Sequence, residues 1–175
     1  TRLYLARKKP EQWENHTARL DETMGRLLNV IDDVFDMTKL QDQSLVISPQ
    51  YTDLKEFIEL VLEGKSGRLA EKQLRINKQF TDMILPVNLD PTLFDRACDK
   101  LIECAIDYCE PESEITIRLY DWSSEDKVSA RMEIACQAFQ FPPDEIEEMF
   151  SPFYQVSEGK KYTSGLNLAI AKQIM

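Results

Sequence analysis

A heptad-spaced apolar stripe between about Glu11 and Gln43 constrains the fold of this chain more than any other feature. Its positions step by four and three residues along one helical face: Leu20, Met24, Leu27, Ile31, Val34 and Thr38. This spacing is typical of a helix that packs lengthwise against another helix. Leu28 and Phe35 widen the stripe to the face expected in a helical bundle. A single helix cannot bury such a stripe alone.

The segment before this helix is too short to cover the stripe. Residues 1–9 are predicted to form a short helix that Pro10 interrupts. We therefore predict a helical hairpin over residues 1–44 that is half of a dimeric four-helix bundle. The predicted dimer interface consists of Leu20, Met24, Leu27, Ile31 and Val34.

Beyond residue 44 the pattern changes to that of an α+β domain. Alternating apolar residues predict strands near 45–51, 73–81, 115–119 and 128–134. Asp53 is predicted to cap a helix over 54–69 whose inward residues are Phe57, Leu60, Val61 and Leu69. Asp90-Pro91 predicts the start of a helix over 91–109, a short acidic helix ends at Phe150, and another helix covers 165–175. The expected architecture is a mixed sheet with helices on one face.

Charge and glycine content exclude several function classes. With 21 Lys+Arg against 31 Asp+Glu, the net charge of −10 argues against nucleic-acid binding, which needs a basic surface. Only 5 of the 175 residues are glycine, so a glycine-rich phosphate-binding loop is not expected. No apolar run is long enough to span a membrane, and no membrane contact is predicted.

The four cysteines show no metal-binding spacing. Cys98, Cys104, Cys109 and Cys136 form no C-x-x-C pair, and His16 is distant in sequence. Because zinc ligands usually come in closely spaced pairs, we predict no metal site. Three of these cysteines fall in one apolar helical pattern, where a reduced cysteine acts as a small buried hydrophobe.

Five strings in this order resemble the transmitter region of bacterial sensor histidine kinases. They are Arg26–Leu40 (second bundle helix), Asp90–Phe94 (start of the helix that carries the N box), Leu101–Tyr108 (the N box itself), Phe150–Gln155 (F box) and Ser164–Lys172 (second glycine box). The resemblance implies a dimerisation and phosphotransfer hairpin followed, over residues 45–175, by a GHKL-type ATP-binding α/β sandwich. The resemblance also implies strands that close this domain, and we expect them to be missing from residues 45–175.

The chain departs from the family at the positions that contact nucleotide. The N box asparagines and lysine correspond to Lys100, Cys104 and Asp107. The first glycine box corresponds to residues 136–141, with Cys136, Ala138 and Gln140 in place of its aspartate and two glycines. In the second glycine box Thr163 and Asn167 replace glycines, and Gly165 is retained.

These replacements are expected to weaken Mg·ATP binding together. A thiol does not suit the hard Mg²⁺ ion. An anion at Asp107 would repel phosphate by about 4 kcal/mol at about 4 Å and an effective dielectric of 20. Losing the carboxylate at Cys136 removes a charge-assisted hydrogen bond of about 1.5–3 kcal/mol.

The phosphoacceptor of the family is also unmatched. His16 is followed by Thr-Ala-Arg-Leu-Asp rather than the family's Glu-x-x-x-Pro, and it is predicted to be a solvated surface residue. The expected acceptor position would precede Thr1, so we expect the chain to be either a fragment of a longer receptor or a deliberately trimmed form of one.

Three functional hypotheses follow. The first is a pseudokinase, a dimeric relay or scaffold with no catalytic residue and no cofactor. The alternative is an active ATP- and Mg²⁺-dependent histidine kinase with Glu103 as general base and Lys160 and Lys161 near the phosphates. A third is a redox or metal-sensing pair of Cys104 and Cys136. A response regulator is a partner by analogy only, and the expected location is the cytoplasm, alone or as part of a membrane-attached sensor.

Overall fold

The first described element of the chain is one long helix. The computed structural model describes residues 10–41, 46–82, 86–124, 127–137, 143, 145–154 and 165–175. Helix α1 runs over Pro10–Gln41, 32 residues, which confirms the helix predicted from the heptad pattern. The short helix predicted over residues 1–9 lies outside the described residues.

Nine further elements follow α1 within the described ranges. In chain order they are β1 (Gln50–Asp53), α2 (Leu54–Gly64), α3 (Ser66–Glu71), β2 (Arg75–Phe80), β3 (Pro86–Leu89), α4 (Pro91–Tyr108), β4 (Glu114–Ser124), β5 (Lys127–Cys136) and α5 (Asn167–Ile174), with a 3₁₀ turn at Glu148–Phe150 before α5.

The strands form the mixed arrangement that the sequence predicts. Strands β1 and β3 pair antiparallel, with Gln50 opposite Leu89. In the larger sheet, β2 pairs parallel with β4, and β4 pairs antiparallel with β5. The two sheets and the helices that pack on one face make the α+β fold predicted for the second part of the chain.

One apolar cluster joins the helices to the sheet. Ile115, Ile117 and Leu119 of β4 are fully buried, as their alternation predicts, because every second side chain of a strand points to the same face. They pack with buried residues of α2 and α4, among them Ile58 and Ile102. Helix α4 therefore lies at the centre of the domain.

Four local expectations are wrong. The helix predicted over 54–69 breaks at Lys65 into α2 and α3, and Leu60, expected inside, is 64% exposed. The first strand begins at Gln50, so Ile47 precedes it and is exposed. Within the described residues, the acidic helix before Phe150 is only a 3₁₀ turn at its end.

Asp90 holds the start of α4 and the segment after α1 together. Its carboxylate accepts hydrogen bonds from the backbone N–H groups of Thr92 at 3.0 Å and Leu93 at 3.1 Å, which confirms the predicted N-cap. It also accepts one from Ser48 N–H, 42 residues earlier, at 2.8 Å. These three bonds, with Ser48 the largest contributor, hold the pKa of Asp90 below its ordinary value.

Asp90 should therefore make stability depend on pH in the acid range. Because its pKa is lower in the folded chain than in the unfolded chain, its stabilisation is present above the unfolded pKa and lost as pH falls through the folded one. Asp90→Asn should lower the melting temperature at pH 7 and flatten its dependence on pH below about 4. The control is Asp82→Asn. Equal acid profiles for Asp90→Asn and the unmutated chain would contradict this role.

Candidate functional site

The pocket nearest the family's nucleotide motifs lies between α4, the 3₁₀ turn and the start of α5. Its space, open mouth included, is about 350 Å³. The described residues that line it are Cys104, Tyr108, Met149, Tyr154, Gly165, Asn167 and Leu168. The structure thus brings together the middle of the N box and the second glycine box, which are about 60 residues apart in the chain.

Cys104 presents a protonated thiol to this pocket. Burial, followed by the negative charges of Asp107 and of Cys136, raises the pKa of its thiol to about 12. A thiol must lose its proton to act as a nucleophile or as a metal ligand. At neutral pH, Cys104 therefore contributes a small, weakly polar group to the pocket wall.

Cys136 ends strand β5, and its thiol hydrogen-bonds with that of Cys109. Burial and the neighbouring Cys109 thiol, with which it hydrogen-bonds, raise the pKa of Cys136 to about 11. Cys109 is itself buried, beside Ser113 Oγ at 3.0 Å. All four cysteines are free thiols. High pKa values describe inert, structural cysteines, which weighs against the redox-pair hypothesis.

Lys100, aligned with the first N box asparagine, makes an ion pair with helix α1. Its Nζ lies 2.5 Å from Asp33 Oδ1, and the exposed fractions of the two side chains are 15% and 5%. One turn earlier, Arg96 of α4 makes an ion pair with Asp36. The positive charge of Lys100 is thus neutralised by Asp33 of helix α1.

Asp107 and Glu103 are likewise paired, on the side of α4 that faces α3. Arg68 Nη2 lies 2.8 Å from Asp107 Oδ1, and Lys65 Nζ lies 3.0 Å from Glu103 Oε1. Lys65 also pairs with Asp99, one turn before Glu103. The repulsion of phosphate expected from Asp107 is therefore smaller than that of an unpaired anion, because Arg68 compensates its charge.

Four pocket residues were not singled out from the sequence as functional. They are Tyr108, Met149, Tyr154 and Leu168. Tyr108 follows Cys104 by four residues, so helical spacing alone could have placed both on one face. Tyr154 donates its hydroxyl hydrogen to Glu145, and this bond is the main cause that raises its pKa to about 12. Ala138, Gln140, Lys160, Lys161 and Thr163 lie outside the described residues.

Among the glycine box residues that the structure describes, Gly165 is the one whose backbone requires glycine. Its φ is +68°, and an added Cβ would lie 2.5 Å from the Tyr154 carbonyl oxygen. Its own carbonyl accepts a hydrogen bond from Phe153 N–H at 3.0 Å. Phe153 is 66% exposed and Phe150 38% exposed, so neither of these F box phenylalanines is a core residue, although core packing is the simplest role for them from the sequence. Lys172 instead lies over the Phe150 ring, 5.5 Å from its centroid.

The second candidate surface is the stripe on α1. All five predicted interface residues are exposed in the isolated chain: Leu20 58%, Met24 61%, Leu27 60%, Ile31 42% and Val34 42%. Leu28 and Phe35, which widen the stripe, are also exposed. His16 is exposed on the same helix, as predicted.

The described residues contain neither a membrane-spanning helix nor a metal-binding cluster. No described helix has the length and apolar character needed to cross a membrane. In the same part of the chain, no group of three or more His, Cys, Asp or Glu residues is arranged to hold a metal ion.

Comparison with known proteins supports the class that the fold suggests. The family described as histidine kinase-, DNA gyrase B- and HSP90-like ATPase matches residues 89–175. The sensor protein VanSC of Enterococcus gallinarum is 27% identical over 153 residues, which cover 86% of this chain and 41% of that protein. Residues 89–175 therefore form a domain of this ATPase family.

Solved structures show that the similarity in fold also extends to helix α1. Full-length ShkA in complex with AMPPNP superposes with a TM-score of 0.76 at 20% identity, over 92% of this chain and 33% of that one. Histidine kinase ThkA in complex with the response regulator TrrA gives 0.70 at 18% identity, over 95% and 45%. Over most of its length the chain is therefore similar in sequence to VanSC and in fold to these histidine kinases, and it spans well under half the length of VanSC.

Replacement of Gly165 by alanine should destabilise the pocket. A left-handed φ costs a non-glycine residue roughly 1–2 kcal/mol, and the contact with Tyr154 adds to this. Thermal unfolding of Gly165→Ala should therefore occur at a clearly lower temperature. The matched control is Gly67→Ala in α3, where nothing lies within 4 Å of the added Cβ; there alanine should be neutral or stabilise by up to about 1 kcal/mol. A melting temperature of Gly165→Ala at or above that of the unmutated chain would contradict this role.

Proposed function

We propose that this chain is a histidine-kinase-like signalling module that has lost productive Mg·ATP binding and acts as a dimeric relay or scaffold. One observation carries the proposal. On helix α4, Lys100 pairs with Asp33, Asp107 pairs with Arg68, and Cys104 is a protonated thiol. The positions from which the family would contact metal and phosphate are thus occupied by groups that are neutralised or neutral.

The side chains of the pocket do not fit a magnesium ion. Mg²⁺ requires close octahedral oxygen coordination, usually with one or two carboxylates. The described lining contains two tyrosine hydroxyls and the Asn167 carboxamide, but among these residues there is no carboxylate. The nearest acids on α4, Glu103 and Asp107, form ion pairs on the side facing α3. We therefore expect neither Mg²⁺ nor ATP as a cofactor.

The affinity of the site for the adenine ring of ATP is expected to be low for a separate reason. Where the resemblance implies a carboxylate that accepts the exocyclic amine of adenine, Cys136 offers a thiol that is protonated at neutral pH. Sulfur is a weak hydrogen-bond acceptor compared with an ionised carboxylate. Losing a charge-assisted bond of about 1.5–3 kcal/mol lowers affinity by roughly ten- to a hundredfold.

An active ATP-dependent histidine kinase is the competing function, and one observation favours it. Asn167 places a carboxamide in the pocket, where its oxygen could contact a cation or a polar ligand. Glu103, the candidate base, weighs against activity, because Lys65 and Arg68 both pair with its carboxylate and it is not among the described residues that line the pocket.

Thermal unfolding with nucleotide separates the two functions. A ligand at 100 times its dissociation constant stabilises a protein by about 2.7 kcal/mol, which shifts the melting temperature of a domain this size by several degrees. We expect no saturable shift with millimolar Mg·ATP. Mg²⁺ alone, and ATP with a chelator, control for ionic effects. A saturable shift that requires both Mg²⁺ and ATP would overturn the proposal and favour the kinase.

The relay role depends on dimerisation through α1. Exposed apolar stripes of this size are usually covered by a partner, and a second copy supplies a matching stripe. The seam formed by Leu27, Ile31 and Val34 can then make knobs-into-holes contacts in a four-helix bundle.

Ile31→Glu should convert the proposed dimer to a monomer. A charge at the centre of the seam would lose its hydration without a partner. Light scattering coupled to size exclusion should give twice the 20.4 kDa chain mass for the unmutated chain and the single mass for the variant. Asn29→Glu, which adds the same charge at an exposed position off the seam, should remain dimeric. Monomers for all three proteins at high concentration would contradict the dimer.

A response regulator is the proposed downstream partner. The support is the ThkA structure, in which a histidine kinase of the same fold is in complex with the response regulator TrrA. By the same analogy with sensor proteins, we place this module in the cytoplasm, as the cytoplasmic part of a longer sensor.

A further inference from the structure

The face by which helix α1 contacts the ATPase-like domain is anionic. Among the side chains of α1 that the structure describes, only Asp33 and Asp36 are buried, at 4% and 7% exposed. They are three residues apart and therefore share one helix face. The large apolar residues next to them, Val34 and Phe35, are exposed. Met37 and Leu40, on the same face as the two acids, are partly buried, so apolar contacts contribute to this docking alongside the acids.

Two cations on helix α4 match these two acids. Lys100 Nζ lies 2.5 Å from Asp33 Oδ1, and Arg96 pairs with Asp36. Arg96 and Lys100 are four residues apart, so they too share a face, and the two ion pairs lie side by side between the helices. We call these four residues the interhelix clamp. Helix α5 also contacts α1 and supports the same docked arrangement.

Both acids of these pairs and the Lys100 side chain are largely buried, whereas the Arg96 side chain is 45% exposed; ion pairs with buried members favour one geometry over its alternatives. Removing one member of a buried pair leaves a charge without compensation, whereas moving both helices apart returns all four groups to water. Two states of the clamp are therefore favoured. In the docked state both ion pairs are formed, and in the undocked state all four charged side chains are hydrated. A state with one pair made and the other acid still buried is disfavoured.

We propose that the interhelix clamp docks the ATPase-like domain onto α1 without any nucleotide, so that a displacement of α1 is passed directly to helix α4. This inference rests on the proposed function, since it gives the relay its internal connection. It also gives Lys100 a positive role: the residue aligned with a metal-binding asparagine holds the domain to the hairpin helix.

Amine labelling tests the clamp in the full chain without nucleotide. Mass spectrometry after brief treatment with an acetylating reagent should show Lys100 protected, because its amine is paired and largely buried. In Asp33→Asn/Asp36→Asn, labelling of Lys100 should rise several-fold, towards that of Lys78, whose side chain is 43% exposed. The matched control is Asp32→Asn, which removes an exposed acid from the same helix and should leave Lys100 protected.

Small-angle scattering and a charge exchange separate docking from a general loss of structure. Asp33→Lys and Lys100→Asp should each increase the radius of gyration, and the double exchange should restore it. Lys100→Arg, which keeps the charge, should remain compact. Circular dichroism confirms that each variant is folded. Protected Lys100 in the double asparagine variant, or an unchanged radius in every variant, would overturn the clamp. Because no nucleotide is present, this result is independent of the Mg·ATP test of the proposed function.

Discussion

The ion pairs along helix α4 are the constraint on which the rest of the structure depends. One face of this helix carries Ala97, Cys98, Ile102 and Ile106 into the core. A second face holds Asp99, Glu103 and Asp107 against Lys65 and Arg68, and Lys72 Nζ donates to the carbonyl of Asp107 at 2.9 Å, near the end of the helix. A third face holds Arg96 and Lys100 against α1. What remains for the pocket is the neutral strip that contains Cys104 and Tyr108.

This arrangement changes the reason for which, under the proposed function, the pocket does not bind Mg·ATP productively. The sequence suggested that the electrostatics were inverted, with a lysine in place of a metal ligand and an acid in place of a phosphate-binding lysine. The structure instead compensates both charges with partners, Asp33 for Lys100 and Arg68 for Asp107. On this proposal, electrostatic repulsion is a smaller obstacle to nucleotide than the lack of charged and carboxylate groups among the described residues that line the pocket. A site without such groups gives little to offset the cost of dehydrating Mg²⁺ and a triphosphate.

The sequence predicts features whose cause is local and misses those that depend on distant residues. The caps at Asp53 and Asp90 and the alternation of Ile115, Ile117 and Leu119 are confirmed, because each depends on spacing within one element. The burial of Asp33 and Asp36 could not be predicted, since their partners lie about 60 residues further along the chain. The break at Lys65 was missed for the same reason: its amine is held by Asp99 and Glu103 of another helix. Family motifs located the pocket, but they did not indicate which way Lys100 and Asp107 turn.

A crystal structure of the chain grown with millimolar Mg²⁺ and a nonhydrolysable ATP analogue tests the central claim most directly. The account predicts that the space between Cys104 and Asn167 holds no triphosphate and that Lys100 remains paired with Asp33. A triphosphate bound beside Cys104, with Mg²⁺ coordinated and Lys100 released from Asp33, would contradict it.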